Sequence, residues 1–281
     1  MKRRVFDWAG QPMAITESAF RSLVAKVASM PDPLAGGESP SANWEDFVGP
    51  AAVRDESLGS VRIIHVSGVI DRFVPKFWRE VGFVDVEFLS ERIRAAVGDE
   101  TVESIVLEMN TPGGCVWGTP EAANVIADAS MAKPLVVHAS NLLASAGYWL
   151  AAGASAILAD PSSEIGSIGV YTPLWDFRGF YEEFGMKVEL AKTGELKGAG
   201  YPGTEWTEEQ KAHEQEVVND YFVAFKAHIK AHRDIADDCM TGGCYVAARA
   251  LANGFLDSLG SLADAVALAT DLGRSVKQNE Q

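Results

Sequence analysis

The chain has 281 residues, of which 47% are apolar and 22% charged, enough for a buried core and too apolar for a mostly disordered chain. Its 26 Gly and 12 Pro show no period, which excludes a collagen-like fibre. Against 24 Lys and Arg stand 39 Asp and Glu, a net charge of −15. Such a surface repels phosphate backbones and anionic lipid heads, so neither nucleic acid nor a membrane surface is an expected partner.

In chain order, Lys2, Arg3 and Arg4 imitate the start of a signal peptide, but Asp7 and Gln11 break the apolar run that a signal peptide needs, so no secretion is expected. From Ile15 a helical pattern begins, with Phe20, Leu23, Val24, Val27 and Met30 at helical spacing. PDPLAGGESPSANWED then reads as a linker. Residues 1–57 are therefore read as an arm, 58–272 as one domain and 273–281 as a frayed tail.

VRIIHVSGVI is a strand ending at Gly68. Residues 86–97 form a helix with Phe88, Leu89, Ile93 and Ala96 on one face. Residues 104–109 are a buried strand, NTPGG a turn, and a helix runs from Thr119 to Ser130 with Pro120 at its first position. Residues 134–159 carry no Asp, Glu, Lys or Arg. Their small residues and their His138, Ser140, Asn141 and Ser145 favour a buried strand (Leu135 to Ala139), turn, helix and strand (Ala156 to Ala159) over a bilayer span. A short strand is expected from Lys187 to Ala191. Thr207-Glu208-Glu209-Gln210 is a capping box for a long helix to about Arg233. A helix over 245–252 ends near Gly254, and a strand, turn and helix close the chain. This alternation predicts an α/β fold with a parallel sheet.

Four short segments could carry chemistry. Ser145 opens an Ala-rich helix after a strand, where free backbone N–H groups can hold an oxyanion. Gly113 and Gly114 come after the strand 104–109, at the carboxyl edge where parallel sheets build sites. A nucleophilic serine needs a base. No histidine occurs between Ala146 and Ala212, and His65, His138, His213, His228 and His232 read as strand or helix positions. Lysine is the other choice, because a desolvated amine can work uncharged. Lys192 and Lys197 lie together in AKTGELKGAG. Ser167, in EIGSIGV, could orient such an amine. Cys115, Cys239 and Cys244 are an odd number without zinc spacing, so reduced thiols, no metal and a cytoplasmic setting are expected.

Taken in order, NTPGG, SAGYWLAAGA, EIGSIGV and KTGELKGAG before a TEEQ-capped helix resemble the signal peptide peptidase A family, as does the later TGGCYVAARALANGFLDSLG. The resemblance covers roughly residues 58–270. It implies the ClpP/crotonase spiral of ββα units, here with an N-terminal helical arm. It also implies a serine endopeptidase with a Ser-Lys dyad, no cofactor, protein or peptide substrates, and assembly into a homo-oligomeric ring. Within it Ser145 matches the nucleophile, Lys197 the general base and Ser167 the hydroxyl that positions the lysine. Gly113, Gly114 and the N–H of Ala146 match the oxyanion hole. With one repeat, both dyad members must come from one unit or from neighbouring subunits. QPMAITESAFRSLVAKVA resembles the leading segment of the phage-type branch, which processes capsid or scaffold proteins; no membrane anchor is expected. Two other readings stay open: a non-catalytic ring-forming assembly protein on a protease fold, and a crotonase-type enzyme acting on acyl-CoA.

Overall fold

The structure is a computed structural model that describes residues 13–16, 52–80 and 82–279. Strand β1 (Met13–Ile15) comes first, then β2 (Val53–Leu58), β3 (Val61–Ser67) and β4 (Val69–Asp71). Next come helix α1 (Lys76–Glu80), β5 (Phe83–Asp85), α2 (Val86–Gly98), β6 (Ser104–Thr111), β7 (Gly113–Cys115) and α3 (Thr119–Ala132). The middle of the chain forms β8 (Leu135–Ala144), α4 (Ala146–Ala151), β9 (Ala156–Ala159), β10 (Glu164–Gly166) and α5 (Arg178–Glu183). The remainder is α6 (Glu208–His232), β11 (Cys244–Val246), α7 (Ala247–Ala252), β12 (Ser258–Leu259) and α8 (Leu262–Asn279).

The main sheet runs β11-β10-β8-β6-β3-β2, and β9 joins it beside β8. Strands β3, β6, β8, β9 and β10 are parallel, while β2 and β11 pair antiparallel at the two ends. A smaller sheet has the order β1-β7-β4-β5. Two ββα units succeed one another: β3 and β4 lead to α2, and β6 and β7 lead to α3. The expected α/β class is therefore present, with its short second strands collected in a sheet of their own.

Period-two strands covered on both faces explain the layers. Ile64, Val66, Ile105, Leu107, Val137 and Ala139 turn into the main core with α2, α3 and α4. Their neighbours Val61, Ile63, Val106 and Val136 turn the other way onto Ala265 and Ala269 of α8. Helix α2 buries Val86, Leu89, Ser90, Ile93 and Ala96. Phe88, expected on that face, is only partly buried and lies under the Arg79 guanidinium, 4.6 Å from the ring centre. Asp85 caps α2 by accepting from the Glu87 N–H. The capping box of α6 forms as its sequence predicts, each of its two bonds 3.2 Å long.

Several boundaries differ from the sequence reading. Ile15 belongs to a strand, not to a helix; the rest of that helical pattern and the linker lie outside the described residues. Strand β8 continues past Ala139 to Ala144, because it exchanges β9 for β10 as its neighbour along the way. Lys187 to Ala191 forms no strand, since no strand edge is offered to it. Helix α8 extends to Asn279 rather than fraying at residue 273, and Lys277 forms an ion pair of 2.5 Å with Glu103.

Among the described residues no helix is long and apolar enough to cross a membrane. The uncharged stretch instead folds as β8, α4 and β9, and all six residues of α4 are buried. Trp149 of α4 stacks on Phe225 of α6 with ring centres 4.3 Å apart and planes 5° from parallel. Trp149→Ala should cost about 3–5 kcal/mol by removing this contact and leaving a cavity. Urea denaturation would read this as a lower midpoint with an unchanged slope.

Candidate active site

Ser145 stands where β8 ends and α4 begins. Its N–H donates to the Gly166 carbonyl at 2.8 Å, which ties it to the end of β10. Its backbone has φ 55° and ψ −121°, a conformation that costs a side-chain-bearing residue about 1–3 kcal/mol. The hydroxyl does not cap α4; among the described residues its one bond is a long one to the Gly169 carbonyl, 3.5 Å. Ser145 is thus not the ordinary capping serine that its place in the sequence would suggest. Only three residues other than glycine hold positive φ among those described: Phe73, Ser145 and Ser167. Two of the three are the serines singled out by sequence.

Close backbone approach builds the surroundings. Gly147 lets α4 press onto β6, since a Cβ there would lie 2.3 Å from Thr111 Cγ2. Thr111 also accepts at its hydroxyl from the Gly113 N–H, 3.1 Å. Gly113, at φ 92°, lies against Ser145, and a Cβ on it would be 2.8 Å from Ser145 Cβ. Gly114 stands opposite Ala14 in the smaller sheet. Among the described residues nothing accepts from the Ala146 N–H, which belongs to the open first turn of α4. Arg233 holds the far end of this unit, donating to the carbonyls of Ala152 and Ala154 at 2.9 and 2.6 Å and to Asp257 at 2.7 Å.

Ser167 comes directly after β10, beside this point. Its N–H donates to Gly243 O at 2.7 Å, and its side chain lines a pocket of about 580 Å³. The structure therefore gathers Gly113, Gly114, Ser145, Ala146 and Ser167 at one sheet edge. It does not join Lys197 to them by any hydrogen bond. Lys197 is exposed in the turn after Gly194, and its amine makes no hydrogen bond or ion pair among the described residues. Lys192 differs, for its amine is held by the carbonyl and carboxylate of Glu195 at 3.1 and 2.8 Å. No histidine bonds to Ser145. His138 is buried, with Nε2 3.1 Å from Gly260 O and 3.4 Å from Asp160, and His65 is engaged by Glu108 and Glu56. Burial pushes His228, the half-buried histidine of α6, down to about 4, with His232 beside it adding to the effect. Sequence reasoning missed Thr111, Arg233 and the strand β1 against the glycines. Only the threonine, two residues before a Gly-Gly pair, left a trace that could have been read.

A strained serine at the carboxyl edge of a parallel sheet, beside glycines that admit a second backbone, marks this edge of the α/β fold as the candidate site. The chain belongs to peptidase family S49, whose family model matches residues 127–277. It is 25% identical over 230 residues to the capsid assembly protease C of Escherichia phage lambda, covering 80% of this chain and 52% of that one. It is 30% identical over 197 residues to protease 4 of Salmonella typhi, covering 69% of this chain and 32% of that one. The chain thus spans about half or less of the length of these relatives. Among solved structures it is similar to an enoyl-CoA hydratase/isomerase family protein from Silicibacter pomeroyi, with TM-score 0.44 and 14% identity over 79% of this chain and 81% of that one.

Proposed function

We propose that this chain is a serine endopeptidase in which Ser145 is the nucleophile and Lys197 the general base. The uncharged amine takes the proton of the Ser145 hydroxyl as Oγ attacks a peptide carbonyl carbon. The N–H groups of Gly114 and Ala146 receive the negative oxygen. The ammonium returns its proton to the departing amine as the C–N bond breaks, leaving an acyl-enzyme. Water, deprotonated by the same amine, releases the acid and restores the serine. The Ser167 hydroxyl orients the amine. No cofactor takes part.

The observation that carries this reading is the strained Ser145 beside the open Ala146 N–H, in a chain of a peptidase family. Lys197, exposed and with no partner for its amine among the described residues, supports delivery of the amine by an adjoining copy of the chain in a ring. The same excursion exposes Trp175, Phe180, Phe184 and Met186, an apolar patch suited to such an interface. We assign protein substrates, with capsid or scaffold processing as the role suggested by the lambda relative, and a cytoplasmic site of action in keeping with three free thiols. A fluorophosphonate probe should label Ser145, as read by mass spectrometry, and Ser145→Ala should lose both labelling and hydrolysis of an unfolded protein. A chain that stays unlabelled and hydrolyses nothing, both as it stands and with strand β1 weakened by Met13→Pro, would remove the reading.

A further inference from the structure

Strand β1 is bonded on both edges. It runs antiparallel to β7, with Met13, Ala14 and Ile15 opposite Cys115, Gly114 and Gly113. Beyond it, Thr16 N–H donates to Pro112 O at 3.0 Å. On the other edge Met13 N–H donates to the Tyr171 carbonyl at 2.8 Å, and Tyr171 N–H donates back to Met13 O at 3.0 Å. The segment thus fills a slot between the glycine strand and the stretch after Ser167. Its three side chains are buried.

The slot passes the nucleophile. A Cβ on Gly113 would lie 2.1 Å from Ala14 O and 2.8 Å from Ser145 Cβ, so the Ala14 carbonyl and Ser145 share one glycine face. Past Ile15 and Thr16 the slot opens into the pocket lined by Ser167, Tyr171 and, from α6, Gln215 and Phe222. Main-chain bonds on two edges hold any extended peptide with little regard to sequence.

We infer that this slot is the substrate groove and that β1 is its resident occupant, which an incoming extended peptide displaces from the same antiparallel register. The chemistry rests on the peptidase reading; the binding does not. An occupant on the same chain competes with every incoming peptide, so it restrains activity until substrate or a partner draws it out.

The test uses the full chain carrying Ser145→Ala, which binds without cutting, and a fluorescein-tagged peptide of residues 11–18. Anisotropy should show binding at least about tenfold tighter when Met13→Pro is added, because proline removes the N–H that bonds Tyr171. Equal affinity with and without Met13→Pro, or a Met13→Pro protein that stays folded and binds nothing, would overturn the inference. A second measurement covers a variant that unfolds. In the Ser145→Ala chain, saturating peptide should speed amide hydrogen exchange in residues 13–16 while β6 and β8 stay protected. Unchanged exchange there identifies β1 as a fixed part of the sheet and sinks the proposal. Fluorophosphonate labelling of a chain that carries Met13→Pro and keeps Ser145 reports separately: an inert Ser145 there, with peptide exchange intact, removes the peptidase reading and leaves the groove standing.

Discussion

On the proposed dyad, Lys197→Ala should lower kcat on an unfolded protein substrate by about 10³–10⁴-fold and Ser145→Ala at least as far, because removing either member of a unit that moves one proton forfeits nearly the whole effect. Lys192→Ala, by contrast, changes the rate little, since that amine is already spent on Glu195. The exposed position of Lys197 sharpens the expectation. Neither variant turns over alone, but coassembly of the two, unfolded and refolded together, restores about a quarter of wild-type activity if serine and lysine meet across a subunit contact. Recovery cannot occur if both come from one chain, for then each copy lacks one of them. The pH–rate profile should rise as the base loses its proton. A profile independent of pH, or full activity in Lys197→Ala, would exclude the amine as base.

Gly113→Ala is the second large effect, and its cause is steric. The residue holds φ 92°, which costs an alanine about 1–2 kcal/mol. The added methyl would meet Ala14 O at 2.1 Å and Ser145 Cβ at 2.8 Å. Contact on two sides leaves it no direction in which to relax, so the glycine strand must shift away from the serine. Oxyanion donors act only when aimed at the developing charge, and kcat/KM should fall about 10²–10³-fold. Gly98→Ala is the matched control, because a Cβ there meets nothing within 4 Å. Comparable loss in both variants would show that the site does not depend on this backbone approach.

Where side-chain period and capping chemistry speak, local sequence suffices. The strand–helix alternation from residue 61 to 159 is set by apolar runs with a neighbour on each face, and α6 begins where Thr207 and Gln210 satisfy each other's backbone. The Gly-Gly pair and the uncharged stretch around Ser145 likewise pointed to the site, because glycine and alanine at a strand end leave room for another backbone. The misread strands share one physical origin: a short strand exists only when an edge is offered to it. Met13–Ile15 is too brief to show a period, and it becomes a strand because Gly113–Cys115 and Tyr171 leave their main-chain groups facing it. Lys187 to Ala191 has the composition of a strand and finds no such edge. Residue types thus determined that a candidate serine, a Gly-Gly pair beside it and two candidate amines are present. Tertiary structure alone decided which groups are free, because it strains Ser145, ties down Lys192, leaves Lys197 open to solvent and lays the chain's own N-terminal strand across the glycines.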